Sequence, residues 1–324
     1  MAPPIRIIML GTGDFALPTF NLLCDTGHNV IALVTQPDRP QGRKQELIPS
    51  EIKRSAQARG VRVDQPENVN APESLELIRQ LAPDLLVTAA YGQILSGELL
   101  GVPKHGGINL HGSILPSYRG AAPVARAIQN GETETGVTVI LMTPRIDAGG
   151  MLSIGKTPID VDETAGELEA RLATLGAPLV IQAIADLVQG TAHVIPQVKS
   201  RVTRAPKLRK EDGLIDWNRS ARSIHDLVRA MKPWPSASTT LPGTGQPDRP
   251  PIRLIIHKTE FAESPFNPGA APGTVLEASG DRLLIATAEG ALRLVSVQVP
   301  GKKPVTAAEL LNGYRLVPGD RLGG

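Results

Sequence analysis

Cysteine is nearly absent from this chain of 324 residues: Cys24 is the only one. A disulfide within the chain is excluded, and so is a zinc site built from several thiolates. Aromatic residues make up only 3%, so any core must be built from Leu, Ile, Val and Ala. The histidines, His28, His105, His111, His193, His225 and His257, are scattered without ligand spacing, and no protein-bound metal is expected. The start, MAPPIRIIML, lacks a charged segment followed by a long apolar run, and no later segment reads as a bilayer span. The expectation is a cytoplasmic protein with no membrane partner.

What is present is an apolar fraction of 41%, enough for real cores, on a chain long enough for two domains. The net charge of +2 hides an asymmetry. Residues 1–189 hold 15 Lys/Arg and 20 Asp/Glu, whereas residues 190–324 hold 19 and 12. A basic second half joined to an acidic first half suggests a polyanionic partner held mainly by the C-terminal part.

Short apolar runs alternate with helical patterns over the first half. Ile5–Leu10, Val30–Thr35, Leu85–Ala90, Gly107–Leu110 and Val137–Leu141 read as strands. Asp14–Thr26 reads as a helix with Phe15, Leu22 and Leu23 facing inward. Ser50 caps a helix that Gly60 ends, and Asn70-Ala71-Pro72-Glu73 caps another that runs to Leu81. Thr164–Val188 is helical, with Pro178 expected to kink or interrupt it. This alternation predicts an α/β fold with a doubly wound, Rossmann-like parallel sheet. The helical pattern stops between Gly190 and Pro206, and from Lys199 onward Arg201, Arg204 and Lys207 follow with no acid among them. Then come one amphipathic helix, Ser220–Met231, and several short apolar runs separated by Gly and Pro, which suggest a small β-barrel. The organisation expected is a domain over 1–189, a basic linker over 190–207 and a barrel domain over 208–324. Trp217 and Trp234 flank the second-half helix and read as core.

Two motifs carry chemistry. Gly11-Thr12-Gly13-Asp14-Phe15-Ala16 fits a dinucleotide fingerprint if Ala stands for the third Gly. Its ribose-binding acid is poorly supplied, since Asp38 follows a Pro in a loop, and a tight strand-to-helix turn explains the glycines as well. The second motif is NLHGSILPSYRGAAPVARAI, followed by RIDAGGM. Positions i and i+2 of a strand share a face, so Asn109 and His111 converge, and a Gly- and Pro-bounded loop follows at the strand end. Amide, imidazole and a distant Asp147 supply a donor, a titrating ring and a proton acceptor, a set suited to acyl transfer to an amine.

The second motif resembles the signature of the 10-formyltetrahydrofolate-dependent formyltransferases. QPDRPQGR, AYGQIL, IDWNRSARSIHDLVRAMKPWPSA and GKKPVTAAELLNGYR extend the resemblance almost end to end. The last two and the QPDRP loop narrow it to the branch whose acceptor is the amino group of initiator methionyl-tRNA. The resemblance implies Asn109, His111 and Asp147 as catalytic residues, and Ser113, Ile114, Leu115 and Pro116 as a folate-binding loop with Tyr91 lining the same pocket. It implies 10-formyltetrahydrofolate as co-substrate, no metal, and an OB-like barrel as the C-terminal domain. For the tRNA it implies the loop carrying Arg39, Arg43 and Lys44, with the basic linker residues Arg201, Arg204 and Lys207 adding charge. A monomer is expected. Three alternatives stay open: the same transfer to a sugar-nucleotide amine or glycinamide ribonucleotide, a nicotinamide-dependent oxidoreductase resting on GTGDFA, and a non-catalytic RNA-binding protein.

Overall fold

The computed structural model describes residues 4–41, 46–242, 251–262 and 269–323. Arg43 and Lys44 lie outside the described residues. The chain forms two compact units. The first comprises Met1–Pro123, Glu134–Pro158 and Leu168–Pro206, and the second Val124–Thr133, Ile159–Glu167 and Lys207–Gly324.

In the first unit seven strands make one sheet. Their order is Met151–Pro158, Glu134–Leu141, Gly107–His111, Leu85–Ala89, Arg6–Gly11, Asn29–Val34 and Arg62–Asp64. The last five are mutually parallel. Every residue of Leu85–Ala89 is buried, as a parallel strand covered on both faces requires. From Arg6–Gly11 the chain works outward to one edge, then returns to Leu85–Ala89 on the other side. The reversal therefore falls between these two strands, and sheets of this kind bind ligands beyond the carboxyl ends at such a point.

The sheet is mixed, not parallel throughout. Glu134–Leu141 runs antiparallel to Gly107–His111, and Met151–Pro158 antiparallel to Glu134–Leu141. The only helix between the first two is Pro123–Gln129, seven residues and about 10 Å long. It is too short to carry the chain back along the sheet for a parallel re-entry. The hairpin that follows returns at Met151–Pro158, a half-exposed strand whose weak apolar pattern hid it in the sequence.

Several helix limits differ from the sequence reading. The first helix is Leu17–Asp25, with Thr19, Phe20 and Leu23 buried and Leu22 only half-buried. Ala71, not Asn70, caps Pro72–Leu81. The Asn70 amide instead binds the Ile94 carbonyl and the Ser96 N–H, pinning the loop beside it. Pro178 lies inside an unbroken helix, Ala165–Gln189. Leu168, Leu172, Ala173, Ala177, Val180 and Ile184 bury one stripe of it, and Gly176 lies against Leu110 of the sheet. That burial outweighs the roughly 3 kcal/mol that an interior proline costs. By length and composition this helix could cross a bilayer, against the sequence expectation; here it packs on a sheet.

The basic stretch ahead of Lys207 is tied to the first unit. Arg204–Ala205 pairs in parallel with Arg119–Gly120, and the Thr203 carbonyl accepts the Arg119 N–H at 3.0 Å.

The second unit is an antiparallel sheet ordered Ala237–Leu241, Ile252–Phe261, Ala291–Gln298, Arg282–Ala286 and Val275–Ser279, with Val305–Thr306 on Ala291–Gln298. The ladder does not close. Residues near the C-terminus make bridges at Thr240 and Thr274, next to the two ends of the order. Ile224 and Val228 of the helix Ala221–Ala230 enter one core with Leu254, Ile256, Leu292 and Leu294. Trp217 belongs to that core and donates to Thr239. Trp234 does not: it is 50% exposed, in the proline-bounded turn after the helix.

The same helix carries a buried ion pair. Asp226 and Arg229 are 2% and 4% exposed and meet at 2.8 Å. Arg229 also donates to the carbonyls of Asp160 and Glu163, so it fastens the 159–167 segment within this unit. Removing the cation alone leaves a buried carboxylate with only Arg222 beside it. Arg229→Leu is expected to destabilise the protein by about 3–5 kcal/mol, read from urea unfolding. A loss below about 1 kcal/mol would show that the pair does not hold the segment.

Candidate active site

Asn109 and His111 come from the Gly107–His111 strand, as the alternation requires. The Thr88 hydroxyl, buried on the neighbouring strand, donates to Asn109 Oδ1 at 2.7 Å. That bond orients the amide and leaves its N–H₂ as the outward donor. His111 is 6% exposed. Its Nε2 donates to the Tyr118 carbonyl at 3.0 Å, which assigns the tautomer and turns Nδ1 toward Asp147. Nδ1 lies 3.6 Å from Asp147 Oδ2. That exceeds a hydrogen bond, so the ring and the carboxylate are close neighbours without a direct bond.

Asp147 sits in the loop that joins the two antiparallel strands. Its backbone is left-handed, with φ of +47°, and its side chain is 13% exposed. Oδ2 accepts the Gly120 N–H at 2.8 Å. Oδ1 has no recorded partner among the described residues. Gly149 follows closely: a Cβ there would run into the Leu141 carbonyl, so only glycine lets the loop turn back onto the strand. Sequence reasoning found all three residues but not Thr88, whose signal was a hydroxyl inside an otherwise apolar strand.

The loop after His111 is held by its own hydrogen bonds and packing. Ser113 is fully buried and its hydroxyl donates to the Ser117 carbonyl at 2.6 Å. Leu115 is 2% exposed, in a small core with Ile140 and Met151. Ile114 and Pro116 alone of the four present side-chain surface. Thr138, fully buried and opposite His111 in the ladder, donates to the Ser113 carbonyl at 2.7 Å and accepts the Leu115 N–H at 3.1 Å. Thr138 is a strut for this loop, and its signal was again a lone hydroxyl in an apolar strand. The Tyr91 ring is buried among Ile8, Leu10, Leu86 and Leu95, away from open surface. Its carbonyl accepts from Gln36 Nε2 at 3.1 Å, across the carboxyl ends of the parallel strands.

A family model described as "Formyl transferase" matches residues 5–184, and one described as "Formyl transferase, C-terminal domain" matches residues 207–315. The chain belongs to the formyl transferase family. It is 43% identical over 319 residues to the methionyl-tRNA formyltransferase of Geobacter metallireducens, covering 98% of this chain and 99% of that one. It is 41% identical over 322 residues to that of Geobacillus thermodenitrificans, covering 98% of each. Among solved structures it resembles HypX from Aquifex aeolicus in complex with tetrahydrofolic acid, with a TM-score of 0.64 and 17% identity. That match covers 95% of this chain and 47% of HypX, and at this identity it speaks for the fold alone.

Within this family frame the GTGDFA segment is a turn. Gly13 has φ of +71°, a conformation glycine adopts at no steric cost. Asp38, the one acid placed for a ribose, is already engaged. Lys53 Nζ meets its Oδ2 at 2.5 Å, and Gln65 Nε2 donates to its Oδ1 at 3.1 Å. These residues root the loop that carries Arg39, whose own guanidinium pairs with Glu67 at 2.7 Å in full solvent. Arg201, Arg204 and Lys207 are exposed, and none has a recorded ion pair among the described residues.

The Lys53 hydrogen bond, with Gln65 adding to it, holds the Asp38 carboxyl below the usual carboxylate range. A depressed folded-state pKa contributes stability above the unfolded pKa and loses it as pH falls through the folded one. Lys53→Met is therefore expected to cost about 1.5–3 kcal/mol near neutrality. The gap to the unmodified protein should hold down to pH ~5 and shrink below the unfolded aspartate pKa of about 3.9. Unfolding measured across pH 3–8 checks this; a gap that widened in acid would refute the pairing.

Proposed function

We propose that this protein transfers the formyl group of 10-formyltetrahydrofolate to the α-amino group of initiator methionyl-tRNA, the step that prepares the initiator for translation. The observation that carries the reading is the Asn109–His111–Asp147 arrangement, with an oriented amide, a fixed imidazole tautomer and a carboxylate oxygen left without a partner. Asp147 takes a proton from the attacking ammonium, directly or through a water, so that the nitrogen lone pair can attack the formyl carbon. The new C–N bond forms as negative charge builds on the formyl oxygen. The Asn109 amide stabilises that charge, joined by the His111 ring when Nδ1 carries a proton, since Nε2 is bound to the Tyr118 carbonyl. The carbonyl re-forms as the bond to the folate nitrogen breaks, and that nitrogen leaves with the second proton given up by the attacking amine. No group of metal-ligating side chains is found among the described residues, and these steps call on none.

Ile114 and Pro116, held by Thr138 from behind, offer an apolar edge for a flat pterin, while Ser113 and Leu115 serve the loop's own rigidity. For the tRNA, Arg201, Arg204 and Lys207 contribute free charge from the stretch over 190–207, which acts as the basic linker between domains over 1–189 and 208–324. Arg39 can exchange its exposed partner Glu67 for a phosphate at little cost. Arg43 and Lys44, close behind in the sequence, add positive charge to this proposed contact. The C-terminal bridges at Thr240 and Thr274 favour an OB-like barrel for the second unit. A cytoplasmic monomer is part of this reading.

The test is formyl transfer to charged initiator tRNA, with amino sugars as controls. Asn109→Ala, His111→Ala and Asp147→Ala are each expected to lose about 100-fold or more in kcat, with unchanged unfolding. Wild-type turnover in any one removes that residue from the chemistry, and preference for an amino sugar refutes the acceptor. A second measurement addresses the grip on tRNA. Neutralising Arg201, Arg204 and Lys207 together should flatten the log–log salt dependence of binding by about 0.7–0.9 for each phosphate that is no longer neutralised. It should raise KM for tRNA with little change in kcat; an unaltered salt slope would place the tRNA elsewhere.

A further inference from the structure

We propose that Gln197 is a positioning residue for the formyl-transfer step, acting through Asp147. Its Nε2 donates to the carbonyls of Asp147 and Gly149, both at 2.8 Å. Its Oε1 accepts from Arg119 Nε at 3.0 Å and from Arg119 Nη2 at 2.7 Å. A carboxamide offers two donors and two acceptor lone pairs, and all four are used. The orientation is unambiguous, because the flipped amide would set donors against the guanidinium and an oxygen against two carbonyls.

The place where these bonds land gives them meaning. Asp147 holds a left-handed backbone, which a residue with a Cβ keeps only where its surroundings impose it. Gln197 grips the carbonyl of that residue and the carbonyl two positions on, and so fixes the backbone immediately after the Cα that bears the carboxylate. Through Arg119 it also reaches the segment whose next residue, Gly120, donates to Asp147 Oδ2 at 2.8 Å. One side chain thus ties together the two backbone segments that fix the carboxylate beside His111. All four hydrogen-bonding positions of the Gln197 carboxamide are taken by protein groups, so its effect passes through the aim of Asp147. Asp147 is the proposed proton acceptor, and this inference rests on that reading.

The experiment is a double-mutant cycle in the full-length enzyme, read as single-turnover formyl transfer with enzyme in excess. Gln197→Ala removes all four bonds. Gln197→Glu keeps the size and the Arg119 pairing but replaces the donors to the two carbonyls with a repelling oxygen. Both are expected to lower the rate by about 10- to 100-fold, the scale of a misplacement near 1 Å, while KM for either substrate moves less than about threefold. In an Asp147→Asn background either change should cost less than about threefold more, because groups acting as a unit are not additive. A merely structural role would give the same fold loss in both backgrounds, and that result would overturn the proposal. So would a rate within about threefold of wild type for Gln197→Glu, which also serves if the alanine variant fails to fold. Were Asp147→Asn itself fully active, the acceptor reading would fail; if it is impaired while the Gln197 variants are not, only the positioning role falls.

Discussion

A carboxylate held largely out of water has to be hydrogen-bonded, or it will not stay charged and in place. Asp147 answers that requirement with the backbone N–H of Gly120. Much of the first unit follows from it. The carboxylate sits on a loop, so the loop must be brought back to the strand that carries His111. The antiparallel hairpin does this, and the glycine at 149 lets the returning backbone pass close to Leu141. The departure from an all-parallel sheet is thus the feature that delivers the acid to the ring.

The parts around this centre are held by buried hydroxyls as much as by apolar packing. Thr88 turns the Asn109 amide, Thr138 spans the backbone on both sides of Ile114, and Ser113 closes its own loop through the Ser117 carbonyl. Each is a polar group with little or no access to water and each has partners, as a buried group must. A loop fixed from behind in this way keeps its shape before a ligand arrives and loses less conformational freedom on binding. Ser113 illustrates the consequence. A hydroxyl in a signature loop looks like a ligand-binding group, yet here it is spent on the loop's own geometry.

The second unit solves a different problem with different means. Its sheet is antiparallel and its core apolar, while an ion pair of Asp226 and Arg229 is buried against the carbonyls of Asp160 and Glu163. The side chains of Arg201, Arg204 and Lys207, by contrast, are exposed and make no ion pair among the described residues. Exposed charges of this kind suit a polyanion, whereas Arg229, bound to Asp226 and to two backbone carbonyls, serves the fold.

The sequence determined the local elements with strong periodicity, the strands Arg6–Gly11, Leu85–Ala89 and Gly107–His111 and the helix at Ala221–Ala230, because hydrophobic spacing and caps act over a few residues. It also pointed to Asn109, His111 and Asp147, two by strand alternation and all three by a motif, and the structure brings them together. It did not determine the direction of Glu134–Leu141, the weakly patterned strand Met151–Pro158, or the continuity of the helix through Pro178, which depend on what packs against them. Nor could it show that Asp38 is occupied by Lys53, that Ser113 faces inward, or that Gln197 reaches both Arg119 and Asp147. Those hydrogen bonds join residues up to 78 positions apart, and only the closed tertiary structure, in which each buried donor must find an acceptor, decides who meets whom.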